Sequence, residues 1–537
     1  MSKHPRIDAL DLRSGGRRRN DTQTTAGSGR EGNAHHLASP GGRHVRRSGA
    51  SVQGTLSTWL SHLVDARMAE RDRRRVSDRA MDLYHNDAMA RGILEGLPIE
   101  VVGTGLTPQQ QPMLEWLGLD LEWQAAYQER VYDLFELWGL DSRNFADAQG
   151  RCSIYMLQAL ALFAWKLDGI AVFQVLRTPR PGRSPLSLRV LPIDSARLVT
   201  PSDRTRQDIY DGVELGPSGE VSAVWIHNPP RHGTFATSPR TDNCTRLPVY
   251  DEHTGLQNVL LVCDVRNVAE YRQDSILGPM IKEIRDNNDF VDAALVKALI
   301  SNLFTVFIEN GVGTNQTRHM DWADRVQELE KGTILMGSAS EIPHIIQGND
   351  TPGPSYDIMN NSIIGRLGMA TGRGPENVSR AYKASYSASQ ASIENAGKFD
   401  DVDRMVLANR FCQPIHDWMQ YEGVLRGILP VSSVQKFVDN LHAYTCTEWL
   451  SPKLRPIDKL KAARADDVRL GNGTRTWSDV YGEQSQDYRT KLRQWVNEMA
   501  YLRDLAEEHG FTLSDLMTLR HGRGTTEATG TEDSTEE

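Results

Sequence analysis

The chain has 537 residues, 39% apolar and 24% charged, with a formal net charge of −9. That is the composition of a soluble globular protein with room for roughly two to four domains. Residues 1–50 hold ten Lys/Arg against four Asp/Glu and leave the rest more acidic still, which makes that body a poor generic DNA binder, since phosphate affinity comes from Lys and Arg.

Residues 1–54 are rich in Gly, Arg, Ser and His and poor in large apolar groups, the signature of a disordered basic arm. Its Arg17–Arg19 and 43–47 clusters read either as contacts to nucleic acid or an acidic partner, or as a solvated tail. Residues 55–76 form a charged amphipathic segment. A second helix is expected from Ser77, a good N-cap, giving way to a short β-rich exit over 99–106. Residues 121–140 carry Trp123, Tyr127, Tyr132, Phe135 and Trp138 at helical spacing, a pattern of core aromatics rather than a ligand box. Residues 151–167 also read as helix.

The period then changes to two. Residues 171–178 and 186–193 read as strands. Residues 209–215 and 220–227 flank Gly216-Pro217-Ser218-Gly219, a hairpin signal. Residues 256–265 read as a further strand.

Residues 275–310 are the longest periodic stretch. Ile284, Val291, Leu295, Leu299, Leu303 and Val306 or Phe307 recur in steps of three, four and seven. Gly278-Pro279 opens the stretch and Asn310-Gly311 closes it. An unbroken helix of about 30 residues would be roughly 45 Å long, far beyond the mean of about 11–12 residues. Its heptads are too irregular for a long coiled coil.

Residues 311–356 read as a compact insert with a polar helix near 321–329 and strands at 333–336 and 342–346. Helix returns over 357–370. The run 373–392 is polar and rich in Ser and Ala, with Arg373, Arg380, Tyr382, Lys383 and Tyr386. Another helix of roughly 30 residues is expected from about Ser389 to Tyr421. The C-terminal part is helical over 456–471 and 486–509, and the acidic tail after Gly522 is expected to be disordered.

Chemistry is hard to find. Gly397-Lys398 is followed by Phe399, so the hydroxyl of a phosphate loop is missing. There is no H-E-x-x-H, and the Gly216–Glu220 run misses the nucleophile elbow by its last residue. The five cysteines, Cys152, Cys244, Cys263, Cys412 and Cys446, form no CxxC pair. They point away from a disulfide framework or zinc ribbon and towards a reducing compartment. Asp286, Asp289 and Asp292 lie at i, i+3, i+6; they could hold a cation or serve acid/base chemistry, but read first as the acidic face of a helix, exposed or turned into a ring. No enzyme, cofactor or metal is expected. The N-terminus lacks the apolar core of a leader, and the most apolar run, 156–165, is too short to span a bilayer.

The order of these segments resembles the lambda-like portal proteins of tailed bacteriophages. The likeness covers roughly residues 55–510. It rests on 81–109 with its VVGTGL, LRVLPIDSARL at 188–198, 275–311, YKASYSASQASIEN at 382–395, FCQPIHDWM at 411–419 and the 459–488 block. The resemblance implies a predominantly helical α+β portal fold: a wing over 55–274, stem helices at 275–310 and 357–372, and a clip at 311–356. It further implies a tunnel loop at 373–388, a long helix and wing return at 389–449, and a crown at 450–519. It implies a ring, usually a dodecamer, at one capsid vertex. DNA would enter through it by the terminase and leave into the tail. The implied partners are other copies of the chain, the terminase large subunit, head–tail connector proteins, major capsid and scaffolding proteins, and double-stranded DNA without sequence specificity, with no membrane. Arg373, Arg380, Tyr382, Lys383 and Tyr386 become candidates to face DNA, and otherwise read as ordinary surface residues of a loop. Lys282, Asp286, Asp289 and Asp292 become candidates for the channel wall or inter-subunit contacts. Many relatives carry an acidic or bulky residue just before the Tyr-Ser run, where this chain has Tyr382-Lys383-Ala384-Ser385-Tyr386. The alternatives are a minor capsid or adaptor protein, or a nucleic-acid-processing phage enzyme.

Overall fold

The computed structural model describes residues 66–179, 184–203, 208–228, 240–266, 270–302, 306–310, 341–345, 354–381, 385–451, 459–484 and 486–510. All lie in one compact unit, Val64–Glu537. The fold is predominantly helical with several small antiparallel sheets.

α1 (Ala66–Asn86) runs straight through Ser77, so the expected N-cap there is not one. The break falls instead at Asp87, whose carboxylate accepts from Ala90 N at 2.6 Å and starts α2 (Ala88–Val101). α2 continues past Pro98 to Val101. The expected β exit over 99–106 is therefore helix as far as Val101 and turn beyond it, with the strand starting only at Thr107, because tertiary contacts described below satisfy the end of α2. β1 (Thr107–Gln110) follows and pairs with β11 (Thr447–Leu450), far along the chain.

A short α3 (Leu114–Leu117) leads to α4 (Leu121–Gly139) and α5 (Ile154–Asp168), capped by the side chains of Asp120 and Ser153. The aromatics of α4 are core: Tyr127, Phe135 and Trp138 are buried, and Trp123 stacks on Tyr127 at 4.6 Å. α5 ends at Gly169 with φ of +77°, where a Cβ would sit 1.9 Å from the carbonyl oxygen of Gln273. Only glycine fits that approach.

β2 (Ala171–Arg177) is the centre of a three-stranded sheet, between β3 (Leu188–Ile193) and β8 (Val259–Val262). β4 (Ile209–Tyr210), β5 (Val213–Leu215), β6 (Val221–His227) and β7 (Cys244–Pro248) form a second sheet in that order. The main core lies between α4, α5, the first sheet and α10 (Gln413–Leu425). Two of its tryptophans keep their N–H groups paired: Trp138 donates to Leu188 O at 2.9 Å and Trp418 to Gln257 O at 2.6 Å.

α6 (Ile281–Asn302) has 22 residues, so the expected rod does not reach Asn310. Val306–Asn310 is instead a strand, β9, paired antiparallel with β10 (Glu341–Ile345). Val306, Phe307 and Ile308 suit a pleated strand as well as a helix. The helix and strand expected at 321–329 and 333–336 lie outside the described residues.

α7 (Pro354–Thr371) returns beside α6: the Phe290 and Tyr356 rings stack at 5.6 Å, and Arg366 pairs with Glu283. A second core cluster joins α1, α2 and the start of α6 to α7 through Leu94, Leu97, Leu277, Ile284, Ile363 and Leu367. α8 (Pro375–Ser379) is a single turn, and α9 (Tyr386–Leu407) follows. The expected continuous helix to Tyr421 is interrupted by a π turn, Ala408–Cys412, before α10, with Pro414 in its first turn. A widened turn absorbs the missing N–H of proline. α11 (Val434–Asp439) and α12 (Leu441–Thr445) lead to β11, and α13 (Lys459–Gly471), α14 (Trp477–Gly482) and α15 (Tyr488–Glu508) complete the chain.

Candidate functional site

The sequence singles out two places: the base of the 373–388 segment and the acidic face of α6. The structure treats the candidates at the first very differently.

Arg373 is 6% exposed. Its Nε donates to Glu100 Oε2 at 3.0 Å, and its Nη2 pairs with Asp400, itself buried. Arg373 is thus a structural residue, not the DNA-facing cation that the sequence suggested. A polar run looks like a surface loop until its partners, far away in the chain, are known. Burial raises the Glu100 carboxyl, opposed by the pull of Arg373. Burial likewise raises Asp400, against Arg373 and Arg404. Desolvation wins in both.

This pair sits in a wider joint. Arg404 donates to the carbonyls of Val101 and Glu100 at 2.9 and 2.6 Å, and to Asp401 Oδ1 at 2.7 Å. Asp403 accepts from Lys166 Nζ at 2.6 Å, and Lys166 lies over the Trp165 ring. Burial lowers the Lys166 ammonium pKa, although Asp403 opposes it. Asp400, Asp403 and Arg404 are thus turned inward, while Phe399, Val402 and Met405 are exposed. Sequence reading passed over this joint. Its signal was present: Asp-Asp-Val-Asp-Arg over 400–404 puts charges on the helix side opposite to the exposed apolar stripe.

Arg380 is exposed and left-handed, with φ of +53°. Its Nη2 donates to the Gly92 carbonyl on α2 at 3.1 Å. Tyr382 and Lys383 lie outside the described residues. Tyr386 is the first residue of α9, and its side chain lies outside them as well.

On α6, Lys282, Asp286, Asp289 and Asp292 are all exposed. The opposite side carries Ile284 and Asn287 into the body, and Glu283 and Phe290 meet α7. The structure therefore brings the three aspartates together on one outward face. Among the described residues no group of His, Cys, Asp and Glu is arranged to hold a metal ion, and no helix is long and apolar enough to cross a membrane.

Residues 53–400, well over half of the chain, match the phage portal proteins of the lambda family. The chain belongs to that family and is a phage portal protein. The family is structural rather than enzymatic. Among solved structures, a chain from the virion of a native gene transfer agent particle is 12% identical with a TM-score of 0.38, over 78% of this chain and 92% of that one. A chain from the neck of a native gene transfer agent particle, computed with C12 symmetry, is 13% identical with a TM-score of 0.34, over 65% of this chain and 85% of that one. These superpositions are too loose to carry an argument. Nothing among the curated proteins matches the chain.

Proposed function

We propose that copies of this chain close into a ring, a dodecamer, at one vertex of a phage capsid, and that double-stranded DNA passes through its centre. The observation that carries this reading is the match to lambda-family portal proteins over 53–400. In this reading the terminase large subunit drives DNA in, and the ring later passes it to the tail. The ring also nucleates head assembly with scaffolding and major capsid proteins, and docks head–tail connectors. The wing is 55–274, the stem is 275–310 and 357–372, the clip is 311–356, the tunnel loop is 373–388 and the crown is 450–519. The ring is assembled in the host cytoplasm and resides in the virion.

A moving polyanion must not be held, and an acidic face such as Asp286, Asp289 and Asp292 repels phosphate. A head-to-tail contact whose rotation closes makes a ring from one kind of chain. Negative-stain imaging of the purified protein, alone and with scaffolding protein, tests the reading. Annular particles with a central hole are expected. A chain that stays monomeric at every concentration in both conditions would overturn it.

A further inference from the structure

The segment between α7 and α9 is docked on its neighbours over its described residues. Arg373 anchors its start. Val378 packs on the second core cluster, and Ser392 of α9 donates to Glu376 Oε2 at 3.1 Å. Arg380 ends α8 in the left-handed region, which turns the chain and lays the guanidinium along α2.

The seat for that guanidinium is opened by the missing side chain of Gly96. Gly92 and Gly96 lie one turn apart on α2. A Cβ at Gly96 would meet Arg380 Nη2 at 2.9 Å and nothing else within 4 Å, and a Cβ at Gly92 would meet nothing. Glycine inside a helix is unfavourable relative to alanine. At Gly96 the empty space is taken by one group alone, the Arg380 guanidinium, which also finds an acceptor in the Gly92 carbonyl.

We propose that Arg380 is a positioning residue, seated over Gly96 of α2 with the Gly92 carbonyl as its acceptor, and that this seat fixes the turn that ends α8 ahead of α9. The consequence for DNA rests on the channel reading above; the seat itself does not.

Two variants separate the seat from the backbone. Arg380→Gly keeps the left-handed turn and removes the guanidinium. Gly96→Val keeps Arg380 and fills its seat. Hydrogen exchange of residues 375–381 is measured in the full chain, beside DNA packaging in assembled particles. Both variants are expected to speed exchange there by about tenfold, the scale of one lost hydrogen bond, and to share one packaging defect. Arg380→Lys, which keeps a cationic donor at that position, is expected to recover part of both. Should Gly96→Val fail to fold, Arg380→Gly carries the test alone. Unchanged exchange would overturn the seat. Faster exchange with wild-type packaging would leave the seat and overturn its positioning role. Absence of rings in the wild-type protein would count against the channel reading, and the exchange measurement would still decide the seat.

Discussion

Arg404 donates from its Nε to the carbonyl oxygen of Val101 at 2.9 Å, tying α9 to the end of α2 across 303 residues of sequence. Its Nη2 takes the Glu100 carbonyl as well. The last carbonyls of a helix have no intrahelical donor and carry the negative end of its dipole. A cation there both satisfies and neutralises them. We expect Arg404→Met to lower stability by about 2–3 kcal/mol, the scale of charged hydrogen bonds lost from buried acceptors. Arg404→Lys should recover part of this. Chemical denaturation measures it, and a shift of less than about 0.5 kcal/mol, the range of neutral surface changes, would remove Arg404 as the cap of α2.

Arg373 holds two carboxylates that burial disfavours as anions. Arg373→Met leaves Asp400 buried without its main partner, at a cost of about 3–5 kcal/mol. The sign of the pH effect follows from the direction of the shifts. A carboxyl whose folded pKa lies above its unfolded value binds more protons in the folded state, so its folded form gains as pH falls. Losing the guanidinium pushes both carboxyls further up. The deficit of Arg373→Met is therefore expected to be largest near neutral pH and to shrink on acidification. A deficit that stays constant with pH would place the cost in lost packing instead.

The parts of the fold that could be read from the sequence are those set by local period. α4, α5, β2 and β3 follow from aromatic and alternating patterns over single segments. The end of α6 could not be read, because Val306 and Phe307 satisfy a helical period and a strand equally well. Their fate is decided by pairing with His344 and Ile345. The candidate site shows the same limit. Arg373 looked like a loop cation because Glu100 and Asp400 are 273 and 27 residues away. The outward face of α6 was legible, since three aspartates at i, i+3, i+6 must share a side.

His416 and Asp417 are neighbours in α10 whose titrations oppose each other. Burial lowers His416 to about 3 and raises Asp417 to about 6. His416 Nε2 faces Gln110 Oε1 at 2.9 Å, and that oxygen also accepts from Gln420 and Thr447, so the neutral ring donates. Stability from His416 is full above its unfolded pKa near 6.5 and is lost as pH falls towards 3. Stability from Asp417 is full below its unfolded pKa of 3.8 and is lost as pH rises through 6. Between these limits the slopes cancel in part. Asp417→Asn should expose the histidine slope, up to about 1.4 kcal/mol per pH unit, with stability falling on acidification. His416→Gln should show the reverse slope. Parallel pH profiles for wild type and both variants would contradict the opposed pair.

Lys383 follows Arg380 by three positions in the sequence, and in the channel reading it is a cation facing DNA. A weak contact repeated by ring symmetry suffices to matter. Lys383→Glu is expected to leave rings intact and to impair packaging or retention of DNA, read as full heads against empty ones. Wild-type packaging by this variant would remove Lys383 from the DNA path.

Asp286, Asp289 and Asp292 share the outward face of α6, with Lys282 beside them. If that face lines the channel, its acidity keeps DNA from sticking, and reversing the charge should create a grip. Asp286→Lys with Asp289→Lys is expected to yield rings that retain DNA at low salt and release it at high salt. Each phosphate neutralised adds about −0.9 to the log–log slope of affinity against salt, so a ring of new lysines gives a steep dependence. If the face instead meets a neighbouring subunit, the same change places lysines in that contact and rings fail to form. Intact rings with unchanged DNA retention at every salt concentration would assign the face to the outer surface and remove it from the channel.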